Sequence, residues 1–368
     1  MIGLVLGNGF LITLVIIELI LLKFIYKEKI PWGEIVTNLN SGHILMWILR
    51  GVELYAYYFT YQHFSMDLFN QLPILLQWII GYLAWDFCFY WLHRLHHKIE
   101  LFWNIHVVHH EGEHFSLSLG IRNSWYSSLS SFPFFAGLAI LGLPFDIFLG
   151  VSSINYFIQF YNHNRIVNKS GILEYLFVTP SHHRVHHGKN KEYIDKNFGG
   201  TFIIWDKLFG TYQQENANIE IQYGVNNSVK SMNTFWINNI PFLKSLNIKI
   251  PSFEKNQNVQ LSQSWIGMGS FVLFALLLYF IFIEHSWFGW NKWALFGIIF
   301  CGSIANGLLF ENTKIGYWFW FLIACIANTI YFISLKNIDK VLIFLLILFF
   351  IHGFITLLKS LKNDESTI

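Results

Sequence analysis

Apolar runs about as long as a bilayer is thick recur along this 368-residue chain, and they limit its folding more than any other feature. A membrane-crossing helix needs about 20 predominantly apolar residues. Runs of that kind occupy residues 2–26, 44–61 and 72–92. A longer one, 127–161, is broken near Gly142 and Pro144 and reads as a hairpin of two short helices. Four more follow at 265–283, 292–309, 315–333 and 341–358, which makes about nine helices by the window rule. Charged residues are 12% of the chain, against about 25% in a soluble domain. The expected fold class is therefore an all-α polytopic membrane protein, a transmembrane helix bundle.

Two polar regions interrupt the pattern, 93–124 and 163–264. Arg94, Lys98 and Arg122 mark the first; Arg165, Arg184, Lys189, Lys191, Lys196 and Lys207 mark the second. Positive charge favours the cytoplasmic side. Both regions are expected there, with the N-terminus outside and the C-terminus, carrying Lys359 and Lys362, inside. Lys336 and Lys340 conflict with that count. The first run lacks a basic leader, and Lys23 and Lys27 follow it, so it reads as a spanning helix rather than a cleaved signal. The expected division is 1–71 for N-terminal helices, 72–234 for a catalytic domain, 235–264 for a linker and 265–368 for C-terminal helices. These last carry no evident chemistry, and the small residues from Gly302 to Gly307 suit close helix packing in a supporting role.

Net charge is only +2, which offers no case for nucleic-acid binding. Cys88, Cys301 and Cys325 sit in apolar segments without CxxC spacing and read as buried thiols. Histidine stands out instead. Of 16 histidines, eleven lie at four short sites: His93, His96 and His97; His106, His109 and His110; His163; and His182, His183, His186 and His187. Residues three or four apart share a helical face. An HxxHH segment can therefore present three imidazoles to one metal or bridge toward a second. Eight or nine such ligands exceed what one ion takes, so two ions are implied, and neutral imidazole suits iron, copper or zinc. The sites fall at the ends of apolar runs and in the polar regions, so they converge just beyond the bilayer face, on the cytoplasmic side. A metal carrier would place its titratable ligands mid-span, which argues against transport. His43, His63, His285 and His352 are single histidines with ordinary structural explanations; His96 and His114 are weighted the same way.

Several neighbours are candidates for supporting roles. Asp86 lies two turns before His93 on the same face and is placed to accept a hydrogen bond from a ligand imidazole. Asp206 is a second such acid. Glu113 and Arg122 are candidates for binding a reductant or for holding the second histidine site. Gln159, one turn before His163, and His182, four residues before His186, are uncertain ligands or ligand supports. Gly199 and Gly200 allow a tight turn near the site, and Gly210-Thr211 reads as a closing turn. Arg50 and Glu53 share a face and neutralise each other.

The pattern HxxxH, HxxHH, HxxHH resembles that of the fatty acid hydroxylase/sterol desaturase superfamily. The stretches DFCFYWLHRLHH (86–97), FSLSLGIRNS (115–124), IQFYNH (158–163) and TPSHHRVHHGKNKEYIDKNFGGTFIIWDKLFGTY (179–212) resemble the branch of that family acting on alkylglycerols. The resemblance covers about 72–234. It implies a diiron centre on His93, His97, His106, His109, His110, His183, His186 and His187, with His163 as a ninth ligand. It also implies O2 and a lipid as substrates. The enzyme would hydroxylate the carbon beside an ether oxygen, releasing a fatty aldehyde and a glycerol compound, with tetrahydrobiopterin or another electron donor. A sterol or fatty-acyl hydroxylase or desaturase on the same site is the alternative. Lys98, Glu111 and Glu113 depart from that branch's pattern.

Overall fold

A computed structural model describes residues 2–41, 43–250, 260–283, 289–334 and 339–362. Lys336, His285 and part of the expected linker, residues 251–259, lie outside the described residues. The described chain is helical, with one isolated bridge between Phe177 and Phe202. In order the helices are α1 (Ile2–Phe24), α2 (Trp32–Asn40), α3 (His43–Phe64), α4 (Ile74–Lys98), α5 (Glu100–His110), α6 (Ser127–Leu141) and α7 (Phe145–Asn162). Then come α8 (Pro180–His186), α9 (Ile204–Leu208), α10 (Thr234–Ser245), α11 (Gln263–Ile283), α12 (Trp290–Phe310), α13 (Lys314–Ser334) and α14 (Lys340–Lys362).

Helices stand at all nine expected places, and among the described residues five are long and apolar enough to cross a membrane: 7–24, 74–98, 263–283, 290–310 and 340–361. Two of the others fall short for readable reasons. α3 carries Arg50 and Glu53 within its length, and α6 has 15 residues. The five fit a multi-pass membrane protein. The break at Gly142 is as expected: its φ of 92° is left-handed, and a Cβ there would lie 2.9 Å from the backbone of Asp67. α10 (Thr234–Ser245) occupies the first part of the expected linker, 235–264. Asn233 caps it by accepting the Phe235 N–H, and Pro241 sits inside the helix.

The chain divides into two compact units. One comprises 1–17, 29–45 and 229–368. Within it α11, α12, α13 and α14 pack in sequence, and α14 closes back on α11. Small residues set the approach: a Cβ on Gly302 would lie 2.7 Å from Leu273, and one on Gly269 2.7 Å from Trp320. Polar groups are paired internally, as lipid demands. Trp320 Nε1 donates to His352 Nδ1 at 3.0 Å, and His352 Nε2 lies 2.9 Å from the Trp265 carbonyl. His352 thus has a structural explanation.

The other unit comprises 18–28 and 46–228. Its apolar core is built where α3, α4, α6 and α7 meet. Tyr57 stacks on Phe148 with ring centroids 3.8 Å apart and donates to the Leu143 carbonyl, while Trp85 stacks on Phe135. Gly81 and Gly150 let α4 and α7 touch; a Cβ on Gly150 would lie 2.3 Å from Trp78. The Arg50–Glu53 pair is made at 2.6 Å, and Glu53 also accepts from Ser131. This packing holds the end of α4, with the first histidines, beside α5 and the end of α7.

Candidate metal centre

Nine imidazoles converge in this unit as two groups. His93, His97, His106, His110 and His186 form one, and His109, His163, His183 and His187 the other; within each, the offered ligand atoms lie within 4.8 Å of one another. Each HxxHH segment is shared. The i,i+4 pairs His106/His110 and His183/His187 each enter one pocket, and the remaining members, His109 and His186, cross to the other. Helical geometry explains the division, since residues four apart stack on one face. The pockets therefore adjoin, sharing α5 and α8. His182 and His96 belong to neither group: His182 Nδ1 faces the Thr179 hydroxyl, and His96 Nε2 lies 2.9 Å from Ser130 Oγ.

The nitrogen separations test whether a metal fits. His106 Nε2 lies 3.0 Å from His93 Nε2 and 3.1 Å from His110 Nε2, which is 3.1 Å from His186 Nε2. His163 Nε2 lies 3.0–3.1 Å from the Nε2 atoms of His109, His183 and His187. Two ligands about 2.1 Å from one ion are about 3.0 Å apart at a right angle and about 3.4 Å apart at the tetrahedral angle. The spacing matches the edges of a five- or six-coordinate ion better than a closed tetrahedral zinc site.

The tautomers point the same way. Nδ1 of His93, His109, His163 and His186 lies 2.8–2.9 Å from the backbone carbonyls of Phe198, Arg122, Gln159 and Lys196 respectively. A carbonyl only accepts, so each Nδ1 carries the proton and each Nε2 presents a lone pair. His109 and His163 consequently aim two lone pairs at each other across 3.1 Å. Protonation would relieve this, but burial, and then neighbouring charge, pushes these imidazoles down: His109 to about 4, and His106, His110, His163, His183, His186 and His187 well below the ordinary range. A shared cation satisfies all of them. Nε2 of His97 is likewise buried without a hydrogen-bond partner. The donor set fits a pair of imidazole-loving metal ions.

The carbonyl rack is held by the acids singled out above. Asp206 accepts from the N–H groups of Phe198 and Gly199 and from the Thr211 hydroxyl, at 2.7–2.8 Å. Asp86 accepts from the N–H groups of Thr201 and Phe202, Trp205 Nε1 and Asn155 Nδ2, at 2.7–3.1 Å. Neither carboxylate takes its bonds from a ligand imidazole; each fastens the loop whose carbonyls do. A Cβ on Gly199 would lie 2.6 Å from the Phe202 carbonyl, and one on Gly200 2.8 Å from Phe89 and 2.9 Å from Asp86, so the loop closes only with glycine there. Arg122 is buried; its guanidinium donates to the Val108 carbonyl and to Glu111. With its own carbonyl on His109, it braces α5. Glu113 lies against Gly224. The Gln159 side chain bonds Asn155, and its carbonyl supports His163.

Sequence reasoning missed three parts. Asp195, at a left-handed φ of 60°, sits 3.5 Å from His97 Nδ1 and bonds Lys98, which explains the lysine at that position. His97 and Lys98 hold the Asp195 carboxyl down at about 2. Glu18 accepts from the backbone N–H groups of Leu117 and Arg165, tying together the segments beside His163. Gly120 faces His163, where a Cβ would lie 3.0 Å from Nδ1. Only the polarity of Glu18 inside an apolar run was a readable signal.

Fold and site together define a class: a helical membrane protein with an adjoining pair of all-imidazole pockets that could each hold a metal ion. Residues 78–211 match the family model described as fatty acid hydroxylase, so the resemblance read from the motifs is borne out. The chain is 35% identical to alkylglycerol monooxygenase of Homo sapiens over 236 residues, 62% of this chain and 51% of the relative. It is 37% identical to alkylglycerol monooxygenase of Caenorhabditis elegans over 220 residues, 57% and 41% of the two chains. The ornithine lipid hydroxylase OlsE of Rhizobium tropici is 29% identical over 174 residues, 46% of this chain and 50% of the relative. The chain thus spans about half the length of these relatives. No solved structure matches it.

Proposed function

We propose that this protein is an O2-dependent lipid monooxygenase with two iron ions, acting on the ether-linked carbon of an alkylglycerol. The observation that carries the reading is the pair of pockets built from shared HxxHH helices, with lone pairs of buried imidazoles turned on one another. Bound iron would supply O2 activation and attack on an unactivated C–H bond. His93, His97, His106, His110 and His186 would hold one ion, and His109, His163, His183 and His187 the other. The chain's own contribution is positional. The rack from Lys196 to Phe202 orients two imidazoles, and Asp86 and Asp206 hold that rack.

Hydroxylation beside the ether oxygen gives a hemiacetal, which separates into a fatty aldehyde and a glycerol compound. Two electrons must come from a donor, tetrahydrobiopterin or another. The names of the alkylglycerol relatives support the ether lipid. The ornithine lipid hydroxylase relative favours a second reading, hydroxylation of a lipid other than an alkylglycerol on the same centre. The site would face the cytoplasm by the positive-inside argument. Purified protein given an alkylglycerol, O2 and a tetrahydropterin is expected to yield fatty aldehyde. Hydroxylation of an ornithine lipid offered in parallel, with no aldehyde from the alkylglycerol, would favour the second reading, and turnover of neither lipid would reject both.

A further inference from the structure

The unit with the metal centre exposes an apolar patch outside its membrane-length helix. The single turn Gly171–Tyr175 shows Ile172 and Tyr175 at 82% and 78% exposure, together with Leu173 and the following Leu176. Beside it α9 shows Leu208 at 65% and Ile204. The two turns are one surface: the Ile203 N–H donates to the Leu176 carbonyl, and Lys207 Nζ donates to the Tyr175 carbonyl. Two short polar-flanked turns have no reason to display large apolar side chains to water.

What covers them follows from continuity. α4 exposes Leu76, Ile80, Leu83 and Phe87 along one face, the stripe a spanning helix turns to lipid. Phe87 packs on Trp205 with ring centroids 5.1 Å apart, and Trp91, one turn further along that stripe, packs on Phe209 at 5.0 Å. The lipid-facing surface of α4 therefore runs without interruption onto α9 and the 171–176 turn. The flanking chemistry is interfacial: Trp205, Tyr175 and Tyr212 supply amphipathic rings, and Lys207 lies over two of them, 5.9 Å from Tyr175 and 5.3 Å from Tyr212.

We infer that residues 171–176 and 204–209 form a platform immersed in the headgroup–acyl boundary of the same bilayer that α4 crosses. The partner is the lipid surface itself. The consequence is local to the centre, because α9 carries Asp206, whose carboxylate holds Phe198 and Gly199 of the carbonyl rack. Seating α9 in the interface sets the depth of the first pocket relative to the lipid.

Spin labels on Ile172→Cys and Leu208→Cys test this in the full chain, reconstituted in nanodiscs of phosphatidylcholine and phosphatidylglycerol. Ala217→Cys, on an exposed Asn-flanked loop, serves as the aqueous reference, and unsubstituted protein gives the background from the native cysteines. Labels at 172 and 208 should be relaxed more by O2 and less by a water-soluble nickel chelate than the label at 217. The aqueous pattern at either position would overturn the platform. The readout needs neither metal nor turnover, so it stands or falls apart from the proposed reaction.

Discussion

His109 and His163 set the terms at the scale of single residues. Their Nδ1 protons are committed to backbone carbonyls, so their Nε2 lone pairs collide unless a cation lies between them. Asp195 is the one carboxylate placed on a ligand imidazole among the described contacts; on His93 and His186, as on His109 and His163, a backbone carbonyl takes that place. Replacing such a partner usually costs about 10–100-fold in metal affinity. Asp195→Asn is therefore expected to weaken one of two binding steps by about that factor in a competitive chelator titration, leaving the other step in place. Acid sensitivity follows from burial. A free imidazole titrates at about 6.5, and His109 in the fold at about 4. The fold prefers the neutral ring, so this contribution to stability is whole above about 6.5 and is lost as pH falls toward about 4. Melting temperatures of metal-stripped protein should fall across that window; a flat profile would contradict the burial argument.

At the scale of elements, the loop from Lys196 to Asp206 was readable in its glycines and Asp206 but not in the carbonyls it offers to His93 and His186. The histidines were legible because their spacing encodes a helical face, and the pockets pair residues as that spacing suggests. The supports were not legible because most are backbone carbonyls, which every residue owns. Asp86 was noticed as an acid in an apolar run, but helical periodicity pointed it toward His93, whereas its four donors come from Asn155 and a distant loop. Long-range partners leave no trace in local spacing. Removing that carboxylate strands several buried donors, each worth about 1–3 kcal/mol. Asp86→Ala should lower unfolding stability by about 3 kcal/mol or more, while Asp86→Asn, which keeps one acceptor, should lose less. Equal losses in denaturant melts would mean that the loop is not held through those bonds. Gly199→Ala tests the same loop by crowding; overpacking typically costs about 1–3 kcal/mol, and a neutral effect would show that the turn can relax.

At the scale of the whole molecule, the apolar runs gave the helices correctly, and among the described residues five of these helices are long and apolar enough to cross a membrane. Hydropathy windows blur a run that is apolar on one face and packed on the other, as in α3 and α6, which carry part of the core of the histidine-bearing unit. The closing of α14 on α11 was also invisible, because apolar helices of similar composition do not announce their neighbours. What the two units share is a strategy: most polar groups in apolar surroundings are paired, and among the described residues the largest group left with unmet nitrogens is the imidazole cluster. Metal content measured on purified protein tests that claim most directly. About two iron ions per chain are expected, falling to about one when His109 and His163 are both replaced by alanine, since the other five-imidazole pocket is left intact. A single ion in the unsubstituted protein, or a content unchanged by the double substitution, would contradict the two-pocket account.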